Sequence, residues 1–215
     1  MNRLALAAVQ LDTRQRLINA GAHVFAERGF QGATIQEIAR RAEANIAAVN
    51  YHFGGKAGLY AEVLGQQIEA RREPPPSLAD DPDNPAAQLR AFIGWLLPRV
   101  CGPATQFPLG QMQLHEMAAA SPVLDKVVEL LVRPQLTALR EIVRALLPSN
   151  ASDEVVRRHT LSVIAQCVFY HHGAPVLERV FPEVLLDDAE VAALSDHIAT
   201  FSLAALRRAH DRAAT

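Results

Sequence analysis

The chain has 215 residues, of which 50% are hydrophobic and 20% are charged. It is therefore long and apolar enough to form a sizeable packed core, and wholesale disorder is excluded. The formal net charge is −2, which excludes a polybasic protein that coats nucleic acid or anionic lipid. The charge is uneven, because residues 1–72 carry a net charge of +3 and the rest a net charge of −5. This asymmetry predicts an anion-facing N-terminal segment on a neutral to acidic body.

Several features predict a soluble cytoplasmic protein without a metal or a cofactor. Cys101 and Cys167 stand in apolar surroundings without a CxxC spacing, so we expect neither a disulfide framework nor a thiolate zinc site. No apolar run reaches the roughly 18–20 residues that a membrane span needs. Charge interrupts the N-terminus too early for a signal peptide. His159, His171 and His172 lack the spacing of metal ligands on one helix.

Helical periodicity recurs along the chain, whereas strand signals are almost absent. Gly29 suits the left-handed residue that closes a first helix. Thr34 and Glu37 form a capping box for a second helix, and Asn45 is a candidate cap for a third. Gly54 then interrupts the pattern before a longer helix. The four helices are predicted over residues 13–28, 34–42, 46–51 and 56–72.

A proline-rich segment, EPPPSLADDPDNP at residues 73–85, divides the chain, and no helix is expected to cross it. Beyond it the helices are more apolar. Pro134 is predicted to kink or break one of them, while Ser152 and Asp187 are candidate N-caps of two others. These helices are predicted over residues 86–101, 109–119, 122–147, 152–171 and 187–209.

The predicted fold is all-α. A small basic head at residues 1–60 continues through the helix over 56–72. A larger helical body at 73–215 follows.

The segment ATIQEIARRAEANIAAVNYHF at residues 33–53 predicts two short helices joined by a tight connection. Val49 and Phe53 fall on one face for packing, and Ile46, Ala47 and Asn50 point elsewhere. Such a helix pair places one helix in the major groove of DNA, where small exposed residues permit close approach and cations neutralise phosphates. Periodicity alone does not separate this arrangement from another helical hairpin.

The runs FAERGF, ATIQEIARRA and NIAAVNYHFGGKAGLY, within residues 13–60, resemble the DNA-binding domain of the TetR/AcrR family of bacterial transcriptional regulators. The runs SPVLDKVVELLVRPQLTALREIVRALLP and VIAQCVFYHHGAPVLERVFP resemble the C-terminal domain of the CecR-type subgroup of that family. One departure is Glu43, which stands where the family's turn usually has glycine. A positive φ at Glu43 carries a steric cost that glycine avoids.

The resemblance implies a three-helix helix-turn-helix DNA-binding domain at residues 1–60 and an effector-binding and dimerisation domain at 73–215. It also implies base contacts from two helices. Gln36 lies at a position that reaches bases, and Ile46, Ala47 and Ala48 match base-edge positions. Ile46 and the alanine methyl groups suit contact with thymine methyl groups. Asn50 stands where many relatives have a phosphate-binding tyrosine. Its amide either serves a phosphate or reads adenine, and both alternatives stay open.

The resemblance also implies phosphate contacts from Thr34, His52 and Lys56. For His52 and Lys56 the alternative is a solvated or capping role. Tyr51 and Phe53 are more typical of hinge and core residues, with a phosphate contact left open for Tyr51.

The last two predicted long helices, over 152–171 and 187–209, are apolar on more than one stripe, which indicates one face for the core and another for a partner. The resemblance implies a homodimer through these helices. A symmetric dimer sets two recognition helices about one DNA turn apart, and therefore requires a pseudo-palindromic operator in double-stranded DNA.

Relatives usually carry a ligand cavity in the body, which implies a small-molecule effector. The candidate wall residues mix apolar bulk with a few polar groups, and ordinary core packing is the alternative for each. They are Trp95, Phe107, Met112, His115, Glu116, Phe169 and His172.

The sequence therefore predicts a ligand-responsive transcriptional regulator, a dimeric repressor that a small apolar effector releases from its operator. The alternative is an all-α small-molecule-binding protein or enzyme that uses the C-terminal pocket. Neither a nucleophile elbow nor a Gly-rich phosphate loop supports that alternative, so we expect no enzymatic activity.

Overall fold

A computed structural model describes residues 3–70, 73–101, 108–183 and 187–213, with side chains described between residues 12 and 210. Regular structure in these residues is helical throughout, which confirms the predicted all-α class. A 3₁₀ turn at Leu78–Asp80 and a π-helical segment at Val128–Val132 accompany the α-helices. The α-helices are α1 (Arg3–Gly32), α2 (Ile35–Arg41), α3 (Ile46–Phe53), α4 (Lys56–Glu69), α5 (Pro85–Cys101), α6 (Pro108–Ala118), α7 (Leu124–Val127), α8 (Arg133–Leu146), α9 (Asp153–His172), α10 (Ala174–Val180) and α11 (Asp188–Ala213).

The chain forms two compact units, each with its own hydrophobic core. The first unit comprises residues 1–72 and 106–131, and the second comprises residues 73–105 and 132–215. Helices α1–α4, α6 and α7 thus belong to the first unit, and α5 and α8–α11 belong to the second. The predicted division into a DNA-binding domain and an effector-binding domain concerns function and stays a prediction.

In the first unit, α1 packs against both α4 and α6. Its core contains Leu17, Phe25, Tyr60, Leu64 and Met112, all of them fully buried. The rings of Phe25 and Tyr60 meet edge to face with centroids 4.6 Å apart, a favourable geometry for two aromatic rings. Burial of side chains of this size contributes about 1.5–3 kcal/mol each. The core therefore provides a stable scaffold for the short helices α2 and α3.

The predicted end of the first helix at Gly29 is confirmed, because the helical conformation is interrupted there with φ 64° and ψ 179°. This backbone region is accessible essentially to glycine alone. The His115 ring also lies against Gly29, and a Cβ atom at this position would come within 2.9 Å of that ring. The His115 Nε2 atom lies 3.1 Å from the Ala26 carbonyl oxygen, so α6 closes over the end of α1.

In the second unit, α5 packs against α8, α9 and α11. Both predicted caps form. The Ser152 hydroxyl accepts from the Val155 N–H at 3.4 Å, and the Asp187 carboxylate accepts from the Glu190 N–H at 2.8 Å. The buried core of this unit includes Leu89, Phe92, Ile93, Leu97, Leu139, Ile142, Val143, Val156, Val163, Ile198 and Leu203, together with the free thiols of Cys101 and Cys167.

Several elements differ from the sequence-based prediction. The first helix begins at Arg3, ten residues before the predicted Thr13. The predicted helix over 122–147 is not broken at Pro134 but widens into the π-helical segment Val128–Val132 just before it. Pro134 has no N–H to donate to the Leu130 carbonyl, and such π-segments absorb a missing α-helical hydrogen bond. Helix α10 was not predicted from the sequence, although Pro175 stands in its first turn, where proline is compatible with a helix.

Candidate nucleic-acid interface

The first half of the predicted capping box is confirmed at the start of α2. Thr34 has an extended backbone, and its hydroxyl accepts from the Glu37 N–H at 3.2 Å. The Glu37 carboxylate receives hydrogen bonds or ion pairs from Arg41 at 2.8 Å and Arg28 at 3.1 Å. These contacts tie the beginning of α2 to its end and to α1.

The turn between α2 and α3 has a positive φ at Glu43, with a value of 49°, although this residue is not glycine. A residue with a Cβ atom in this region costs about 1–2 kcal/mol relative to its ordinary conformation. The flanking contacts hold the turn, because the Ala44 N–H donates to the Ala39 carbonyl at 2.9 Å. Arg41 donates to both carboxylate oxygens of Glu27 at 2.8 and 2.7 Å. The Arg41 guanidinium consequently holds the pKa of Glu27 below its usual range.

Helix α3 has both of its ends fixed by the residues that the sequence indicated. The Asn45 side chain accepts from the Ala47 N–H at 2.8 Å, so the predicted N-cap is confirmed. Gly54 closes the helix in the left-handed conformation, with φ 69° and ψ 11°. Val49 is fully buried. Phe53 is half-buried, and the Arg14 guanidinium lies 5.4 Å from its ring centroid.

The opposite face of α3 is open. Ile46 is 45% exposed and Tyr51 is 74% exposed, and Ala47 and Asn50 are also exposed. Ala48 differs from the other predicted base-contact residues, because it is half-buried and packs against the core. The free surface of α3 therefore consists of one aliphatic, one methyl, one amide and one phenol side chain, a set that matches base edges in a groove.

The remaining DNA-contact candidates lie close to this surface in sequence. Gln36 is exposed on α2, and Thr34 is exposed at its N-cap. The His52 ring is half-buried between its neighbours, with centroids 4.9 Å from Tyr51 and 6.0 Å from Phe53.

Lys56, the first residue of α4, reaches back to the end of α1. Its ammonium donates to the carbonyls of Ala33 at 2.9 Å and Gln31 at 3.4 Å, and lies 4.6 Å from the Phe30 ring centroid. Lys56 therefore has the capping role that the sequence left open. An ammonium group has three N–H donors, so one remains for a phosphate, and that contact stays a prediction.

Gly58 is a structural requirement that sequence reasoning missed. A Cβ atom at this position would lie 1.8 Å from the Phe53 carbonyl oxygen, so only glycine permits this approach of α3 to α4. The one available signal was a glycine inside a helical pattern, which indicates close backbone packing.

Three effector candidates, Met112, His115 and Glu116, lie on α6 within the first unit. Met112 is fully buried in its core. The buried Glu116 carboxylate accepts from the Tyr60 hydroxyl at 2.7 Å and from the Ser121 N–H at 3.1 Å. Burial, and then the hydrogen bond to Glu116, raise the pKa of the Tyr60 phenol. All three side chains thus pack or bond within this unit.

The other candidates belong to the second unit, except Phe107, which lies outside the described residues. The Arg99 guanidinium covers the Trp95 ring at 4.4 Å, and the Trp95 Nε1 atom is buried without an acceptor among the described residues. Phe169 and His172 are exposed on α9. His172 Nδ1 lies 2.9 Å from the Val168 carbonyl oxygen.

Within the described ranges, no helix is long and apolar enough to cross a membrane. The same ranges contain no group of three or more His, Cys, Asp or Glu residues that is arranged to hold a metal ion.

Family models match most of the chain. Residues 85–206 match the model described as the C-terminal domain of the HTH-type transcriptional dual regulator CecR. Residues 17–63 match the model described as bacterial regulatory proteins, tetR family.

Individual relatives agree with these matches. The chain is 27% identical to the transcriptional dual regulator CecR of Shigella flexneri over 183 residues, which cover 80% of this chain and 82% of the relative. It is 26% identical to the transcriptional repressor NicS of Pseudomonas putida over 210 residues, which cover 96% of this chain and 98% of NicS. These relatives are transcriptional regulators and not enzymes.

Among solved structures, AibR in complex with isovaleryl coenzyme A and operator DNA has a TM-score of 0.62 and 19% identity, covering 88% of this chain and 97% of AibR. This likeness shows that the two chains share a fold.

Proposed function

Because the chain belongs to the TetR family of bacterial transcriptional regulators, we propose that it is a dimeric repressor that a small molecule releases from a pseudo-palindromic operator. The exposed face of α3 is the observation that carries the proposal. Ile46, Ala47, Asn50 and Tyr51 form a shallow surface on a helix that is fixed at both ends. Such a helix fits the major groove without rearrangement.

Each predicted contact has a chemical role in this proposal. Ile46 and Ala47 contact bases through apolar groups, and Gln36 and Asn50 through amides. Ala48 supports the helix from its inner side and contributes at most one methyl edge. Thr34, Tyr51, His52 and the third N–H of Lys56 bind backbone phosphates, which fix the register of the helix. The site of action is then the cytoplasm, at the bacterial nucleoid.

The test is an electrophoretic mobility or fluorescence anisotropy titration with DNA from upstream of the protein's own gene. We expect binding that is tighter than to random DNA and that weakens as salt rises. Footprinting should protect two half-sites whose centres lie about one helical turn, 34–36 Å, or a multiple of it apart. The absence of salt-sensitive binding to any DNA would reject the proposal.

We place the dimer contact on the outer faces of α9 and α11. Leu161, Phe169 and Phe201 are large apolar side chains that remain exposed there. The Gln166 side chain donates to the Ser202 hydroxyl at 3.3 Å, so the two helices lie side by side. Exposed aromatic and aliphatic groups of this size favour burial against a second copy.

We propose that the effector contacts Trp95, whose buried indole N–H lacks an acceptor among the described residues. A buried unpaired donor costs about 1–3 kcal/mol, which a ligand carbonyl or carboxylate would offset. AibR binds isovaleryl coenzyme A, so acyl thioesters are the first compounds to screen. Met112, His115, Glu116, Phe169 and His172 remain secondary candidates, because each has a packing, bonding or surface role of its own.

A further inference from the structure

Most cations of the first unit already have partners within it. Arg41 is bound by Glu27 and Glu37, Arg28 shares Glu37, and the ammonium of Lys56 meets two carbonyls. A cation that pairs with a carboxylate gains less from a phosphate, because it must first give up its partner. The arginines with such partners are Arg14, Arg16, Arg28 and Arg41. Lys56 and Lys126 donate to backbone carbonyls, which do not cancel their charge.

Arg40 is different, because it is exposed and makes no side-chain hydrogen bond or ion pair with any residue that the structure describes. Two carboxylates lie three residues away, on either side. Glu37 is occupied by Arg28 and Arg41. Glu43 stands in the turn with a positive φ and lines a separate groove with Arg16 and other residues of α1. Arg40 therefore keeps its full charge at the surface.

The direction of Arg40 follows from the buried side of α2. Ile38 and Ala39 face the core, while Gln36 and Arg40 are both exposed and lie four residues apart. Residues at this spacing are neighbours on one helix face, with Cβ atoms about 5–6 Å apart. Arg41, the next residue, turns instead towards Glu27 of α1. The two adjacent arginines thus differ in role. Arg41 joins α2 to α1, whereas Arg40 stays exposed beside Gln36.

We propose that Arg40 binds a backbone phosphate of the operator, next to the bases or phosphates that Gln36 reaches. This inference rests on the proposed DNA-binding function. A guanidinium group suits a phosphate, because its planar fork donates two parallel hydrogen bonds. A phosphate contact carries no base information, so Arg40 adds affinity for every DNA sequence and fixes the position of α2 along the backbone.

The decisive measurement is the salt dependence of DNA affinity in the Arg40→Ala variant of the full chain. Each phosphate neutralised by the protein contributes about 0.9 to the slope of log K against log salt concentration. Because the proposed dimer carries two copies of Arg40, we expect the slope to decrease by about 1.8 and binding at 0.1 M salt to weaken about 60-fold, equally on operator and on random DNA. The Arg40→Lys variant should restore most of the slope, because the charge is retained.

Arg41→Ala is the matched control, because it removes the same charge from the next residue of the same helix. Its guanidinium is held by two carboxylates, so we expect a lower melting temperature but a salt slope within about 0.3 of the wild type. A similar loss of slope in both variants would assign the effect to net charge and overturn the proposal. An unchanged slope in Arg40→Ala would overturn it as well.

DNA binding by the wild-type protein distinguishes a failure of this proposal from a failure of the proposed function on which it rests. If the wild type binds operator with salt dependence and Arg40→Ala behaves identically, the DNA-binding function stands and the role of Arg40 is rejected. If the wild type itself shows no salt-sensitive binding to any DNA, the proposed function is rejected first.

Discussion

At the residue scale, Lys56 joins the start of α4 to the end of α1 through two carbonyls and an aromatic ring. In Lys56→Ala these carbonyls lose a charged donor. We expect the free energy of unfolding in urea to fall by about 1–2 kcal/mol, because hydrogen bonds to charged groups contribute about 1.5–3 kcal/mol and this site is only half-buried. The slope of DNA affinity against salt should also flatten by about one phosphate equivalent per subunit of the proposed dimer.

Lys56→Met is the control for the aliphatic stem, since it retains contact with the Phe30 ring but has no N–H. The two variants should lose the same part of the salt slope, with Met the more stable of the two. Full stability and a full slope in Lys56→Ala would assign Lys56 neither role.

Gly58 gives a prediction about stability that depends on one distance. In Gly58→Ala the new Cβ atom would lie 1.8 Å from the Phe53 carbonyl oxygen, so α3 and α4 must separate. We expect a loss of more than about 2 kcal/mol in the free energy of unfolding, together with loss of operator binding. Thermal unfolding monitored by circular dichroism measures the first effect.

Gly65→Ala is the matched variant in the same helix. A Cβ atom there would meet only the flexible end of Lys126, at 3.4 Å, so we expect stabilisation by about 0.5–1 kcal/mol from helix propensity. Equal effects of the two substitutions would show that the Phe53 carbonyl does not constrain Gly58.

At the element scale, the second residue of α3 provides a test of the groove-facing surface. Ala47 is exposed, so Ala47→Asp leaves the core untouched, and a carboxylate near a helix N-terminus is favourable for the helix. Against DNA the same carboxylate meets base edges and phosphates. We expect operator affinity to fall about 100-fold or more, equivalent to about 2.7 kcal/mol, with an unchanged melting temperature.

Ala189→Asp is the control, because Ala189 is the exposed second residue of α11 in the second unit. It should bind operator like the wild type. Ordinary operator affinity in Ala47→Asp would mean that this face of α3 does not enter the groove.

The packing of α9 and α11 distinguishes a core substitution from an interface substitution. Val163 is only 3% exposed and belongs to the core of the second unit, whereas Phe201 is 60% exposed on α11. Val163→Glu should therefore unfold the second unit, because an unpaired charge is buried. Phe201→Glu should yield a folded monomer with weak operator binding. Light scattering after size exclusion, with circular dichroism on the same fractions, separates these outcomes. A dimeric and folded Phe201→Glu variant would place the interface elsewhere.

Local signals predicted the element boundaries that depend on neighbouring residues. Each N-cap side chain accepts a hydrogen bond from a backbone N–H two or three residues ahead, as seen at Asn45, Ser152 and Asp187. The residue type and its position before a helical pattern were therefore enough to predict these caps. The sequence also identified Glu43 as the turn residue at which a positive φ carries a steric cost, and the structure has a positive φ there. By contrast, Gly58 lies against the Phe53 carbonyl of the preceding helix. The close approach of two helices cannot be predicted from the sequence of either helix alone.

At the scale of the whole molecule, the sequence does not reveal which unit a helix joins. Helix α6 lies between α5 and α8 along the chain, yet it packs on α1 and α4 in the first unit. Met112, His115 and Glu116 looked like pocket residues because they combine apolar and polar groups. The structure gives them partners in α1, α4 and the segment after α6, and long-range contacts of this kind leave no periodic signal.

This placement changes how a ligand response must be probed. Met112→Trp is unsuitable as a pocket-filling variant, because Met112 is fully buried in the core of the first unit, to which the proposed DNA-contact helices α2 and α3 belong. Overpacking there costs about 1–3 kcal/mol and would alter DNA binding directly. Trp95→Phe is the better variant, since it removes the unpaired indole N–H together with the smaller ring and keeps a six-membered aromatic ring in the second unit.

The last prediction concerns the coupling between effector and operator. A ligand shifts the protein between two states only if it binds them unequally, and linkage requires that operator weaken effector binding by the same factor by which effector weakens operator binding. For an acyl thioester or a similar hit, calorimetric titration should show about 5–150-fold weaker binding when operator is present, which corresponds to about 1–3 kcal/mol. Trp95→Phe should lower the affinity for the ligand and leave the affinity for the operator unchanged. Equal affinity with and without operator would show that the compound is no effector, whatever its affinity.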